Sequence, residues 1–167
     1  MKPQDREFTE WVTARRDGLV RMAALLTSGD RSRAEDAVQA ALTKLYLRWA
    51  RLRPETLDAY ARRCVVNATV DEHRSLFRRR ERTFAELPDV AALEDMRDDD
   101  RVITMLRALP AGMRAAVVLR YVEGLSVAET AAAMRCSEGN VKSQSARGLQ
   151  HLRDLFPAGM AAQLGDH

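Results

Sequence analysis

From Phe8 onward the apolar positions Phe8, Trp11, Val12, Leu19, Met22, Ala23 and Leu26 recur mostly at steps of three and four residues, the period of a single buried stripe on a helix. Thr27-Ser28-Gly29-Asp30 follows, a set of residue types that stops one helix and starts the next. A second stretch carries Ala34, Val38, Ala41, Leu42, Leu45 and Trp49 on one face, with Glu35, Asp36, Gln39 and Lys44 away from it. It ends before Pro54, because proline disfavours helical geometry in the residue that precedes it. Thr56 is placed to cap a third helix through Leu57, Tyr60, Ala61, Cys64, Val65 and Ala68, running toward Arg78-Arg79-Arg80. These elements predict a small bundle of three or four helices over residues 5–80.

The periodicity lapses over residues 81–100, where a proline and a cluster of acids ending in Asp98-Asp99-Asp100 read as a linker. It resumes over 101–156. Val102, Ile103, Leu106 and Leu109 form a short helix closed by Pro110, and Met113, Ala116, Val117 and Tyr121 form another closed by Gly124. Ser126-Val127-Ala128-Glu129 spells a capping box, in which the Ser hydroxyl takes the third helical N–H and the Glu carboxylate returns to the cap's own N–H. It opens a helix of about eight residues ending near Met134; Ser137 then caps a longer one through Val141, Leu149 and Leu152 that stops before Pro157. Two capped helices around a tight turn predict a helix-turn-helix. Residues 157–167 are rich in small side chains and read as a frayed tail. The expected fold is therefore all-α, with two small helical domains joined by an acidic linker.

Length and charge sharpen this division. At 167 residues the chain holds one domain or two small ones. Its nine aromatic residues are few for a β-sandwich. The formal net charge of +3 is unevenly spread: residues 1–80 hold 17 basic and 11 acidic residues, residues 81–100 hold 2 and 8, and residues 101–167 hold 8 and 5. Two basic modules thus flank an acidic strap. No apolar run approaches the roughly 18 to 20 residues of a membrane span and the N-terminus lacks a signal-peptide core, so a cytoplasmic protein with no membrane insertion is expected. Cys64 and Cys136 share no CxxC spacing and have no neighbouring His, and both read as buried reduced thiols. His73, His151 and His167 make no metal-ligand or catalytic spacing and there is no glycine-rich phosphate loop, so neither an enzyme nor a cofactor is expected.

The last helix carries chemistry suited to DNA. With Val141, Leu149 and Leu152 turned inward, its outer surface presents Glu138, Lys142, Ser143, Ala146 and Arg147. Gly139, Ser143 and Ala146 are small enough for a close approach to a groove, and Lys142 and Arg147 are long enough to reach phosphates or guanine O6 and N7. These residues alone also fit an autonomous helix-turn-helix regulator whose N-terminal bundle dimerises or binds a ligand.

The stretch from Leu119-Arg120-Tyr121 through Gly124-Leu125-Ser126-Val127-Ala128-Glu129, followed by Cys136-Ser137-Glu138-Gly139-Asn140-Val141-Lys142-Ser143-Gln144, resembles region 4 of bacterial sigma factors of the extracytoplasmic-function (ECF) class. The N-terminal half agrees independently. Ala34-Glu35-Asp36-Ala37-Val38-Gln39 resembles the D-x-V-Q segment of region 2.2, and Tyr60-Ala61-Arg62-Arg63-Cys64-Val65-Val66-Asn67 resembles the start of the promoter-melting region. The resemblance spans about residues 8–156 and is nearest the actinobacterial SigE-like subgroup.

The resemblance implies core RNA polymerase and promoter DNA as partners. Region 2.2 docks on the clamp helices of the polymerase β′ subunit, which points to Asp36 and Gln39 with Leu42 nearby; the β flap is the second expected polymerase contact. Asn67 matches the asparagine that captures a base extruded from the minus-10 element. An amide offers donor and acceptor together to a base edge, and extrusion costs a few kcal/mol that the pocket must offset. Arg62, Arg63, His73, Arg74 and Arg78 are implied to line the melted strand and the adjoining duplex, where phosphate contacts add affinity without sequence information. Ser137, Glu138, Asn140, Lys142, Ser143 and Arg147 are implied to enter the major groove at the minus-35 element. Members of the family are commonly held by an anti-sigma factor, and their linker threads toward the polymerase active centre. Departures from the family pattern are His73 at a frequent aromatic position, Arg135 at a frequent turn glycine, and Glu138, Asn140 and Gln144 on the reading helix.

Overall fold

A computed structural model describes residues 1–79 and 97–156, with the side chains of residues 71–79, 98 and 99 outside that description. Most of the acidic stretch and the tail 157–167 therefore lie outside the described residues. The elements are α1 (Pro3–Leu26), α2 (Arg31–Arg48), short 3-10 turns at Trp49–Arg51 and Pro54–Thr56, α3 (Leu57–Arg79), α4 (Asp98–Arg107), α5 (Ala111–Val117), a π-helical turn (Val118–Val122), α6 (Val127–Met134) and α7 (Glu138–Leu155). The described residues contain no strand, and the all-α, two-unit architecture holds.

Three local details differ from expectation. Helix α4 already begins at Asp98, three residues inside the expected linker, because acidic residues in a first turn favour the positive end of the helix dipole. Thr56 does not open α3 as an N-cap: its hydroxyl donates to the Arg53 carbonyl at 2.8 Å within the 3-10 turn started by Pro54. The segment after α5 continues as a π-turn, closed by the Glu123 N–H on the Val118 carbonyl at 2.9 Å.

In the N-terminal unit, α1, α2 and α3 pack around Met22, Val38, Leu45, Ala61 and Val65, all nearly or fully buried. The α1–α2 turn carries Ser28 and Gly29 at positive φ (59° and 83°), and Asp30 caps α2 by accepting from the Arg33 N–H at 3.1 Å. In the C-terminal unit, α4 to α7 enclose Met105, Leu106, Leu109, Val117, Leu119 and Leu152. Gly148 lets α7 approach α5 closely; a methyl group there comes within 2.6 Å of Val117 Cγ2.

The two units are not independent beads. Helix α3 packs against α6 and α5, α1 packs against α5, and their apolar side chains merge into one continuous core. Arg114 of α5 is 6% exposed; its guanidinium donates to the carbonyls of Leu106 (2.9 Å), Leu109 (2.8 Å) and, across the junction, Leu26 (3.3 Å). Burial, helped by the charges of Arg33 and Arg107, pulls its pKa down to about 10, so it remains a cation at neutral pH. Arg107 adds a second bridge, donating to the Ser28 carbonyl at 3.1 Å, and Ile103 lies over Gly29.

The α5–α7 contact makes a direct prediction. Gly148→Ala forces its new methyl against the fully buried Val117 and lowers stability by about 1–3 kcal/mol in urea denaturation. Adding Val117→Ala in the same chain relieves the overlap, so the double variant loses less than the two single losses combined.

Candidate nucleic-acid and polymerase interfaces

On α2, Asp36 and Gln39 are exposed, as a docking ridge requires. Leu42 is not available to a partner: at 7% exposure it belongs to the buried stripe with Val38, Ala41 and Leu45. The 3.6-residue step continues the exposed ridge from Asp36 and Gln39 through Thr43 to Leu47, which is 76% exposed. Leu47 was legible as an apolar residue off the core stripe. Beside it Tyr46, 42% exposed, donates its hydroxyl to Asp5 Oδ1 at 2.8 Å, while its ring meets Phe8 edge-on at 5.1 Å between centroids.

On α3, positions 63, 67, 74 and 78 follow the helical step and share one side of the helix, whereas Arg62 is turned away by about 100°. Arg63 is exposed and stands 5.6 Å from the ring centre of Tyr60, with Arg48 on the same ring at 6.0 Å. An aromatic face bracketed by guanidiniums is a surface on which a base stacks. Asn67 is half-buried, and among the described residues its amide has no hydrogen-bond partner. His73, Arg74 and Arg78 lie on the α3 backbone, with side chains outside the described residues.

Arg62 faces the C-terminal unit. It lines one cleft with Arg15, Arg21, Asp58 and Glu123, and a second with Tyr60, Arg63, Leu125 and Glu129. Burial pushes the Glu123 carboxyl above its usual range, with the charges of Arg62 and Arg21 pulling the other way.

The helix-turn-helix forms as its caps dictate. Ser126 Oγ accepts from the Glu129 N–H at 3.0 Å and Glu129 Oε1 accepts from the Ser126 N–H at 3.1 Å, completing the capping box. Arg120 secures the preceding turn by donating to the Leu125 carbonyl. Arg135 closes α6 in the left-handed conformation, φ 54° and ψ 49°, and Ser137 caps α7 through the Asn140 N–H at 3.1 Å. Val141, Ser145, Gly148 and Leu152 form the buried stripe of α7. Ser143 and Arg147 lie opposite that stripe, and together with Ser137, Glu138, Asn140 and Lys142 they are exposed. Gln144 is half-buried, its amide resting against Gly112 of α5.

The comparisons with known proteins fall on these same segments. The Sigma-70 region 2 family description matches residues 11–81, and the Sigma-70, region 4 description matches residues 99–152. The chain is 38% identical over 161 residues to the RNA polymerase sigma-E factor of Streptomyces coelicolor, covering 91% of this chain and 87% of that protein. The chain belongs to the ECF sigma-factor family. It is also 34% identical over 138 residues to the ECF RNA polymerase sigma factor SigM of Mycobacterium tuberculosis, covering 80% of this chain and 69% of that protein. Among solved structures, the sigma factor RpoE of Bartonella quintana, in complex with the anti-sigma factor NepR, superposes with a TM-score of 0.71 at 23% identity, covering 92% of this chain and 99% of that one. This sigma factor serves transcription initiation by RNA polymerase, and the autonomous-regulator alternative is not favoured. Among the described residues no helix is long and apolar enough to cross a membrane.

Two predictions follow from the turn and its cap. Since a side chain at left-handed φ costs about 1 kcal/mol, Arg135→Gly raises the melting temperature of this sigma factor; a lower value contradicts the geometry. The backbone N–H of Ser126, and after it the hydroxyl, hold the Glu129 carboxyl below its ordinary value of 4.5. A depressed carboxyl stabilises the fold above its unfolded pKa and loses that contribution as pH falls through the folded value. Melting curves collected from pH 7 to pH 3 should therefore fall less steeply below about pH 4.5 for Glu129→Gln than for the wild type.

Proposed function

We propose that this sigma factor docks on core polymerase through the exposed α2 ridge of Asp36, Gln39 and Leu47, reads the minus-35 element with α7, and holds the melted minus-10 strand along α3. The observation that carries this reading is the α7 surface: all six residues assigned to the groove are exposed, with Ser143 and Arg147 opposite the buried stripe. On α7, Lys142 and Arg147 supply the long cationic contacts, Ser143 the close approach, and Glu138, Asn140 and Ser137 the entry at the helix N-terminus, whose free N–H groups favour phosphate. On α3, the amide of Asn67, without a partner among the described residues, receives the extruded base, and Arg63 beside Tyr60 supports its neighbour in the strand. Arg62, His73, Arg74 and Arg78 complete the backbone contacts.

The factor carries no catalytic group of its own in this reading; bond formation belongs to the polymerase. Its place is the cytoplasm, and the β flap is the second polymerase contact. An anti-sigma factor covering the α2 ridge is the expected form of control, by analogy with the complex of the Bartonella protein.

Run-off transcription with purified core polymerase tests the assignment. Asp36→Ala/Gln39→Ala and, separately, Leu47→Asp reduce co-purification with core at least tenfold while leaving helicity unchanged. Arg147→Ala retains core binding and lowers run-off from the cognate promoter by roughly tenfold, the loss of about 1–3 kcal/mol of base contact. Retained polymerase binding by all the α2 variants overturns the docking assignment.

A further inference from the structure

Two cavities adjoin along α1. The larger, about 510 Å³, is walled by Ala24 and Leu25 of α1, Val102 and Ile103 of α4, and Val122 of the π-turn, and its polar residues are Arg21 and Glu123. The smaller, about 290 Å³, shares Arg21 and Glu123 and adds the charged side chains of Arg15, Asp58 and Arg62. The shared pair joins the two into one trough, apolar in one half and charged in the other.

A space of this size is not a packing defect. Protein interiors leave few gaps larger than a water molecule, whereas small-molecule sites run from roughly 300 to 1,000 Å³. Ala24, Leu25, Ile103 and Val122 are only half-buried, so apolar surface that an aliphatic group would cover still meets water there.

The charge balance selects the sign of the occupant. Arg15 is spent on Asp58, Nε to Oδ1 at 2.9 Å. Among the described residues the side chains of Arg21, Arg62 and Glu123 make no hydrogen bond or ion pair. Two guanidiniums against one carboxylate leave a positive excess, and burial widens it by pushing the Glu123 pKa up, against the charged form. A nucleic-acid backbone would satisfy the guanidiniums but brings no apolar body for the α4 side. A plain hydrocarbon covers the walls and leaves the cations unanswered.

We propose that the trough binds an anionic amphiphile, a carboxylate or phosphate head on an aliphatic chain, with the head on Arg21 and Arg62 and the chain against Leu25, Ile103 and Val122. Glu123 stands beside the head and limits its affinity by repulsion. Arg62 is shared with the strand contacts proposed above, so the test leaves it untouched.

The full chain is titrated with sodium decanoate below its micelle concentration, by calorimetry and by melting curves. The wild type binds saturably and melts higher as decanoate is added, as a ligand of the folded state requires. Arg21→Gln, on an exposed side chain, weakens binding roughly tenfold through loss of a charge-assisted contact. Ala24→Phe fills the apolar half and abolishes the response. Glu123→Gln removes the repulsion and tightens binding by about threefold or more. Decanol and inorganic phosphate, each with half of the chemistry, bind more weakly by roughly tenfold or more. Should Ala24→Phe misfold, Arg21→Gln and Glu123→Gln decide the matter alone. Absence of saturable decanoate binding, equal binding by all variants, or phosphate binding as well as decanoate overturns the proposal. Stronger binding of decyltrimethylammonium, or weakening by Glu123→Gln, reverses the sign of the site and overturns it equally. With the site upheld, flotation with phosphatidylglycerol vesicles that Arg21→Gln and Ala24→Phe both abolish assigns the head to a lipid, and no flotation assigns it to a soluble acid.

Discussion

A buried guanidinium without a carboxylate among its hydrogen-bond partners organises this molecule. Arg114 spends its donors on three main-chain carbonyls, two on its own unit and one at the end of α1. Carbonyl dipoles neutralise a buried cation less fully than an anion does, so the geometry around it is demanding: removing the side chain leaves helix-end carbonyls unsatisfied inside the core. The fixed fork of arginine suits the task, since one planar group reaches acceptors on separate helices in a way that the compact lysine ammonium does not. Around that point the two units share further contacts, Ile103 fitting over Gly29 and Arg107 bonding the Ser28 carbonyl.

The helices that line a surface were readable from the chain because one of their faces meets water. The stripe through Val38, Ala41 and Leu45, the caps at Asp30, Ser126 and Ser137, and the left-handed turn at Arg135 are all local, each written within a few neighbouring residues. Helix α5 was harder for a physical reason. Arg114 through Leu119 are six consecutive buried residues, so the segment has no polar side and periodicity carries no orientation. A buried arginine in such a run reads as surface, because charged residues are rarely enclosed.

The candidate sites divide in the same way. The α7 surface was legible because the alternative to a buried stripe is an exposed one, and the residues assigned from it are where the periodicity puts them. Leu42, implied by the resemblance as a polymerase contact, lies in the apolar stripe where its phase on α2 puts it. Arg62 and Arg63 look equivalent as a pair of letters, yet Arg62 is half-buried and lines both clefts against the C-terminal unit, while Arg63 is exposed beside Tyr60 and borders only one of them. That distinction depends on contacts between residues far apart in the chain, which no local pattern encodes.

The α1–α2 turn offers a last consequence. Its two left-handed residues, Ser28 and Gly29, bend the chain so that the carbonyls of Leu26 and Ser28 point at the other half of the molecule. Stretches of sequence some 75 to 90 positions apart are thereby bound to one another: the shape of a four-residue turn and the side chains of Ile103, Arg107 and Arg114 fit only as a set.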